Sequence, residues 1–236
     1  MPIAPINAVD IEVALIAGYP NGGGTPTAAA LHKTYEYLVN IDTESEKFVI
    51  LATDGAPNCS SDPTLSCSTC ISTAPTCSTP LACLDDQNTY SKVIEYHDFW
   101  GVSTFVIGLG GVWDVWDEVL STVASLGGTG DYYPAQTDEG SDQLVTALQE
   151  IAATTTECKF DVDWDSLDAS ASKDPAMVNL YVDGVIIPFS EDCSNPSGWH
   201  WLDEDTIELC SQLCYDYRWG IVSEVYASFG CETILE

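Results

Sequence analysis

The chain has 236 residues, 45% of them hydrophobic, with 37 acidic side chains against 6 basic ones and a formal net charge of -31. That length holds one large domain or two modest ones, and the apolar share suffices for a sizeable core. The charge repels phosphate backbones and argues against a nucleic-acid partner; it suits divalent cations, a salty medium or a basic protein.

Ten cysteines point to disulfides and an oxidising compartment, secreted or at the cell surface. No apolar run reaches the ~20 residues of a membrane span. The opening Met-Pro-Ile-Ala-Pro-Ile-Asn has no basic region followed by an apolar one, so it is not a signal peptide. The expectation is that Met1 is not the natural beginning of the precursor.

Ile11 to Ile16 is apolar enough for a strand or a short helix, and composition does not choose between them. Tyr19 to Gly24 is a loop by composition. Thr25 is a good N-cap with Pro26 at the first helical position, and the helix runs to about Val39 with Leu31, Tyr35 and Leu38 on one face. Phe48 to Ala52 is a continuous apolar run, read as a parallel-sheet strand covered on both faces. It ends in Thr53-Asp54-Gly55, which puts a carboxylate at the sheet's carboxyl edge, where open α/β sheets bind ligands.

Residues 56–86 change character: Ser, Thr, Pro and Cys dominate, with Cys59, Cys67, Cys70, Cys77 and Cys83. The stretch reads as an insertion stapled by its own cysteines. Tyr90 to Trp100 returns to helix, with Val93, Ile94, His97 and Trp100 at three- and four-residue spacing. Val102 to Leu109 is a second buried strand. Trp113 to Leu126 is a helix with Trp116, Val119, Leu120 and Val123 on one stripe, Asp131 to Tyr133 a short strand, and Ser141 to Ala153 a last helix. This alternation is the pattern of a parallel α/β sheet.

Past Cys158 the helical period stops. Val178–Val182 and Val185–Ile187 flank Asp183-Gly184, a strong hairpin signal. Trp199–Leu202, Thr206–Leu209 and Ile221–Phe229 read as further strands. The expected organisation is therefore an α/β domain over 1–157 and a β-rich, cystine-containing module over 158–236, small enough to want staples. The module holds Cys158, Cys193, Cys210, Cys214 and Cys231. If all ten cysteines pair, an odd number of bridges joins insertion to tail. Cys210 and Cys214 are close enough in sequence to pair, though helical geometry would strain that bond.

Together these residues resemble a von Willebrand factor type A domain. The matching pieces are Gly22-Gly23-Gly24-Thr25-Pro26-Thr27-Ala28 leading a helix, Phe48–Gly55 ending in Thr-Asp-Gly, Ser103–Gly111, and Leu126–Tyr133 before the last helix. The match covers about residues 10–155. The cysteine-bearing insertion and cystine tail look like secreted bacterial members of the family. The resemblance implies a Rossmann-like parallel sheet flanked by helices and a metal-ion-dependent adhesion site. In that site Thr25 would supply a hydroxyl and Asp54 a carboxylate to Mg or Ca, with an open position for a partner's carboxylate. Nothing before Gly22 offers the Asp-x-Ser-x-Ser of that site or the strand and helix around it, so both fold and metal site are incomplete at the N-terminus. Asp168-Ala169-Ser170-Ala171-Ser172 spells the missing pattern but lies in an acidic, Ser-rich loop and reads as chance.

Other constellations are weaker. Cys67-Ser68-Thr69-Cys70 lacks the second pair a zinc site needs. His32, His97 and His200 are scattered, and no nucleophile elbow accompanies them, so no enzyme is expected. Asp161, Asp163 and Asp165 alternate as in a calcium loop without its Gly and distal Glu. Asn58-Cys59-Ser60 is a weak glycosylation sequon. Trp113, Trp116, Trp199 and Trp201 read as core or interface aromatics. The sequence thus leads to an extracellular protein-binding or adhesion module, or alternatively to a structural subunit of a surface assembly whose sheet is completed by another segment or a copy of itself.

Overall fold

The computed structural model describes residues 8–17, 24–41, 46–59, 83–110, 114–135, 140–165 and 174–235. The chain is mixed α/β and divides into two units, Met1–Asp138 and Glu139–Glu236.

In the first unit, β1 (Phe48–Thr53), β2 (Ser103–Leu109) and β3 (Tyr133–Ala135) form a parallel sheet in that order. β1 and β2 pair from Phe48↔Ser103 to Thr53↔Gly108, and β2 meets β3 at Ile107↔Tyr133. The helices are α1 (Ala8–Ala17), α2 (Thr27–Val39), α3 (Asp86–Trp100) and α4 (Asp114–Leu126). α2, α3 and α4 cover one face, where Leu31, Tyr35 and Leu38 meet Val49, Val93, Val106, Leu120 and Val123. The spacing of Leu31, Tyr35 and Leu38 sets that face, as expected for an amphipathic helix. The Tyr35 hydroxyl shares a 2.6 Å hydrogen bond with Thr104 Oγ1, and both residues are fully buried. Burial pushes the Tyr35 phenol up to about 12. Gly127 packs on the same strand: Thr104 N donates to Gly127 O at 2.9 Å, and a methyl on Gly127 would sit 2.7 Å from Thr104 Cβ.

Several expectations are corrected. The undecided segment 11–16 lies in helix α1, whose Val9, Ile11, Val13 and Ile16 are all exposed. α2 begins at Thr27, not after Thr25: Pro26 occupies the capping position and no side chain caps the helix. β1 is not covered on both faces. Val49 points into the core, but Phe48 and Ile50 are 39% and 40% exposed. Among the described residues β1 is the outer strand of the sheet, and its Phe48 and Ile50 are less covered than Phe105 and Ile107 of central β2, which are buried. α3 starts at Asp86 and turns Thr89, Val93 and Tyr96 inward, leaving Ile94 and Trp100 exposed. Apolar residues on two neighbouring faces made its stripe ambiguous. Gly101, at φ 65°, stops α3 and turns Val102 into the core. The short strand lies at Tyr133–Ala135, beyond the expected 131–133.

The second unit opens with α5 (Gly140–Thr155), read from the sequence as the last helix of the first domain. Two antiparallel sheets follow. One has β4 (Lys159–Asp161), β8 (Thr206–Leu209) and β7 (Trp199–Trp201) in the order β4-β8-β7; the other has β6 (Val185–Ile187), β5 (Val178–Val182) and β9 (Val225–Phe229) in the order β6-β5-β9. The Asp183-Gly184 hairpin forms as expected, with φ of 48° and 79° and Val182 opposite Val185. Asp183 Oδ1 also accepts from Ser223 N, Ser223 Oγ and Glu224 N, and these bonds hold its carboxyl below the usual range. Trp199, Val178, Leu180, Ile207, Leu209 and Leu213 build the core. Trp199 is fully buried, and its ring N–H donates to Ile187 O at 3.1 Å. β9 starts at Val225, later than the expected Ile221, which is exposed beyond the left-handed Gly220.

Two disulfides staple this unit, Cys158–Cys214 and Cys193–Cys210, with Cα separations of 5.5 and 5.4 Å. Cys210 and Cys214 therefore do not pair with each other. Cys210 precedes α6 (Ser211–Arg218) and Cys214 lies one turn into it, and each reaches a different element. Cys231 is exposed. In the insertion, Cys83 is disulfide-bonded and Cys59 is half-buried, while Cys67, Cys70 and Cys77 lie outside the described residues. No described helix is long and apolar enough to cross a membrane.

Candidate functional site

The carboxyl edge of the parallel sheet is assembled from the turn after β1. Thr53 is buried and caps that turn itself: its hydroxyl donates to Gly55 O at 2.8 Å and accepts from Gly55 N at 3.3 Å. The residue after it, Asp54, is left pointing outward. Its carboxylate is exposed and makes no hydrogen bond or ion pair among the described residues. Trp116 of α4 lies over Gly55, where an added methyl would sit 3.6 Å from the indole Cζ3.

Thr25 is tied to the same edge. Asn58, just beyond Asp54, donates its backbone N–H to Thr25 O at 2.9 Å, and its side-chain Oδ1 accepts from Thr25 N. This two-way clamp holds the turn after β1 against the entry to α2. Thr27 N also donates to Thr25 O, at 2.8 Å, so the Thr25 carbonyl takes up the orphan N–H that a side-chain cap would have met. The Thr25 hydroxyl remains half-buried with no hydrogen bond among the described residues. Asn58 thus links the segment that carries Asp54 to Thr25, and among the described residues an oxygen of each of these two has no hydrogen bond.

The clamp was not visible in the sequence, where Asn58 reads only as a weak sequon. Neither was Asp85. This carboxylate, 5% exposed, accepts from Asn88 Nδ2 at 2.6 Å, and its backbone N–H donates to Pro57 O at 2.8 Å. Asn58 and Leu84 form a bridge at the feet of the insertion, which brings Asp85 to the same rim. The Asp-Asp pair at 85–86 before a helix was the available signal, hidden by the assumption that the helix starts at Tyr90.

A hard dication takes six to eight oxygens. Among the described residues no three His, Cys, Asp or Glu side chains converge to hold a metal ion. Thr25 and Asp54 do not fit a resident ion by themselves; water or a partner would have to complete the shell. Asp168 to Ser172 and Trp113 lie outside the described residues. Of the calcium-like triplet, Asp161 accepts from Thr206 Oγ1 at 3.1 Å across the β4–β8 pair, and Asp163 accepts from Asp165 N at 3.1 Å within a local turn. His32, His97 and His200 each pair with a nearby carboxylate, Glu36, Asp98 and Glu208.

No family model, curated protein or solved structure matches the chain.

Proposed function

We propose that the protein is an extracellular binding module, resembling a von Willebrand factor type A domain, that engages another protein through the rim around Thr25 and Asp54. The observation that carries this reading is the exposed Asp54 carboxylate, without a hydrogen bond among the described residues, at the carboxyl edge of a parallel sheet whose exit turn Asn58 clamps to Thr25. Open α/β sheets bind ligands at that edge. Disulfides in the second unit and the acidic surface suit a secreted or cell-surface setting. The role is binding, not catalysis. A Mg or Ca ion, where one takes part, is shared with the partner, because Thr25 and Asp54 supply too few oxygens alone.

The test is calorimetric titration of Ca and Mg into wild type, Asp54→Ala and Thr25→Ala, paired with adhesion of protein-coated beads to extracellular protein surfaces with and without chelator. Titration into the isolated proteins should show no tight uptake, because the shell is completed only by a partner; wild type should adhere, and both variants should lose adhesion. Equal adhesion by all three proteins sinks the reading.

A second reading rests on a different observation. The outer edge of β1 has no strand partner among the described residues, and Phe48 and Ile50 stand exposed on it. An uncharged apolar edge strand invites pairing with another chain, so the protein serves as a structural subunit whose sheet a neighbour completes. Ile50→Lys should then abolish assembly in sedimentation velocity while Asp54→Ala assembles normally. A wild-type chain that stays monomeric at every concentration removes this second reading.

A further inference from the structure

The second unit contains a cavity of about 550 Å³ that the rim around Asp54 does not involve. Its volume is that of a small-molecule site, for which the usual range is about 300–1,000 Å³. Pro175, Met177, Phe189, Trp201 and Leu235 make its lining apolar and aromatic, and Glu232 supplies the charge.

The wall is preformed. Asn179, 3% exposed on β5, clamps the 231–234 segment: its Nδ2 donates to Cys231 O at 3.2 Å and Glu232 O at 3.1 Å, and its Oδ1 accepts from Ile234 N at 2.8 Å. Thr233 N donates to Ala176 O at 3.0 Å, and Phe189 N donates to Ile234 O at 2.9 Å. The opposite wall is braced too: Trp164 stacks on Trp201 with centroids 5.9 Å apart.

The chemistry of a ligand follows from what these bonds leave over. The Trp201 ring N–H is spent on Pro175 O at 3.3 Å. The Thr233 hydroxyl is spent on Val178 O at 2.9 Å. Among the described lining side chains the one polar group without a hydrogen bond is the Glu232 carboxylate. An apolar body is therefore welcome, and a single cation is the polar group that finds a partner. Aromatic faces add attraction for an ammonium and none for a carboxylate.

We propose that this cavity binds a small organic monocation, an alkyl- or arylammonium compound whose hydrocarbon lies on Met177, Phe189 and Trp201 and whose ammonium meets Glu232. The site is independent of the binding rim of the first unit.

Calorimetry on the whole chain with n-octylamine, n-octanol and octanoate tests it. Octylamine should bind about tenfold or more tighter than octanol, as a charge-assisted hydrogen bond requires, and octanoate should not bind. Glu232→Gln should erase the gap between amine and alcohol. That variant removes one charge from a net of -31, so general attraction of cations to the protein stays nearly constant. Ala176→Trp, at an exposed position on the lining, should fill the space and abolish binding of both, whereas Asp54→Ala should change neither. The proposal is overturned if octylamine fails to bind, if octanoate binds as tightly, or if Glu232→Gln leaves the gap intact.

Discussion

Asn179→Leu is the sharpest test of how the second unit is held together. Leucine keeps the branched shape and the number of heavy atoms but removes an amide that bonds three backbone groups, Cys231 O, Glu232 O and Ile234 N. The site is 3% exposed, so water does not readily replace the amide. Each orphaned backbone group costs about 1–3 kcal/mol, and burial of the new apolar atoms returns about 1 kcal/mol. For three such groups the net loss expected is about 2–8 kcal/mol, a large part of the roughly 5–15 kcal/mol that a domain possesses. With two compact units the chain need not unfold in a single global transition. Urea unfolding should be followed by near-ultraviolet circular dichroism in wild type and in a background lacking the first unit's tryptophans, so that Trp164, Trp199, Trp201 and Trp219 report alone. A midpoint shift worth less than about 1 kcal/mol would show that the 231–234 segment is not pinned by Asn179, and the preformed cavity wall would fall with it.

Three further outcomes are expected. Tyr35→Phe should cost the first unit about 1–2 kcal/mol at neutral pH, because Thr104 Oγ1 loses its buried partner. In wild type the raised Tyr35 pKa gives a contribution that is intact below pH 10 and lost as pH rises to about 12, where the folded phenol finally ionises. That loss amounts to about 3 kcal/mol, and thermal melts of Tyr35→Phe against pH should show a flatter alkaline limb. Asp183 has a lowered pKa, caused first by the Ser223 N–H bond, so its contribution is present above its ordinary value of 3.8 and is lost as pH falls through the lower folded value. Asp183→Asn tolerates the left-handed backbone and should lose that acid dependence, read as urea midpoints between pH 2 and 6; an unchanged slope refutes the assignment. Gly127→Ala drives a methyl to 2.7 Å from Thr104 Cβ and 2.8 Å from its carbonyl, which should cost about 1–3 kcal/mol in the first unit's melting.

Much of the fold was legible in local pattern. The helix-facing stripe of α2, the apolar run of β1 and the Asp-Gly hairpin all depend on residues close in sequence, and all three formed. So did the position of Asp54, because a strand's end is a local fact. What failed were inferences about cover and about distant partners. Five apolar residues in a row read as cover on both faces, yet among the described residues β1 is an edge strand and Ile50 is exposed; whether a neighbour covers a strand is not encoded in the strand. Thr25 looked like a cap by its residue type, but its carbonyl and N–H are bound to Asn58, which is remote in sequence.

The chain's residues alone determined where strands and helices alternate, that cystines would brace the tail, and that an acid sits at the sheet's rim. Only the tertiary structure decided that Cys158 takes Cys214 and Cys193 takes Cys210, that Asp85 is tied through Pro57 to the segment after β1, and that Glu232 is left over on an apolar cavity. Periodicity and turn chemistry act over a few residues and can be read directly. Pairing choices depend on which distant groups satisfy one another first, and that competition is settled only when the whole chain packs.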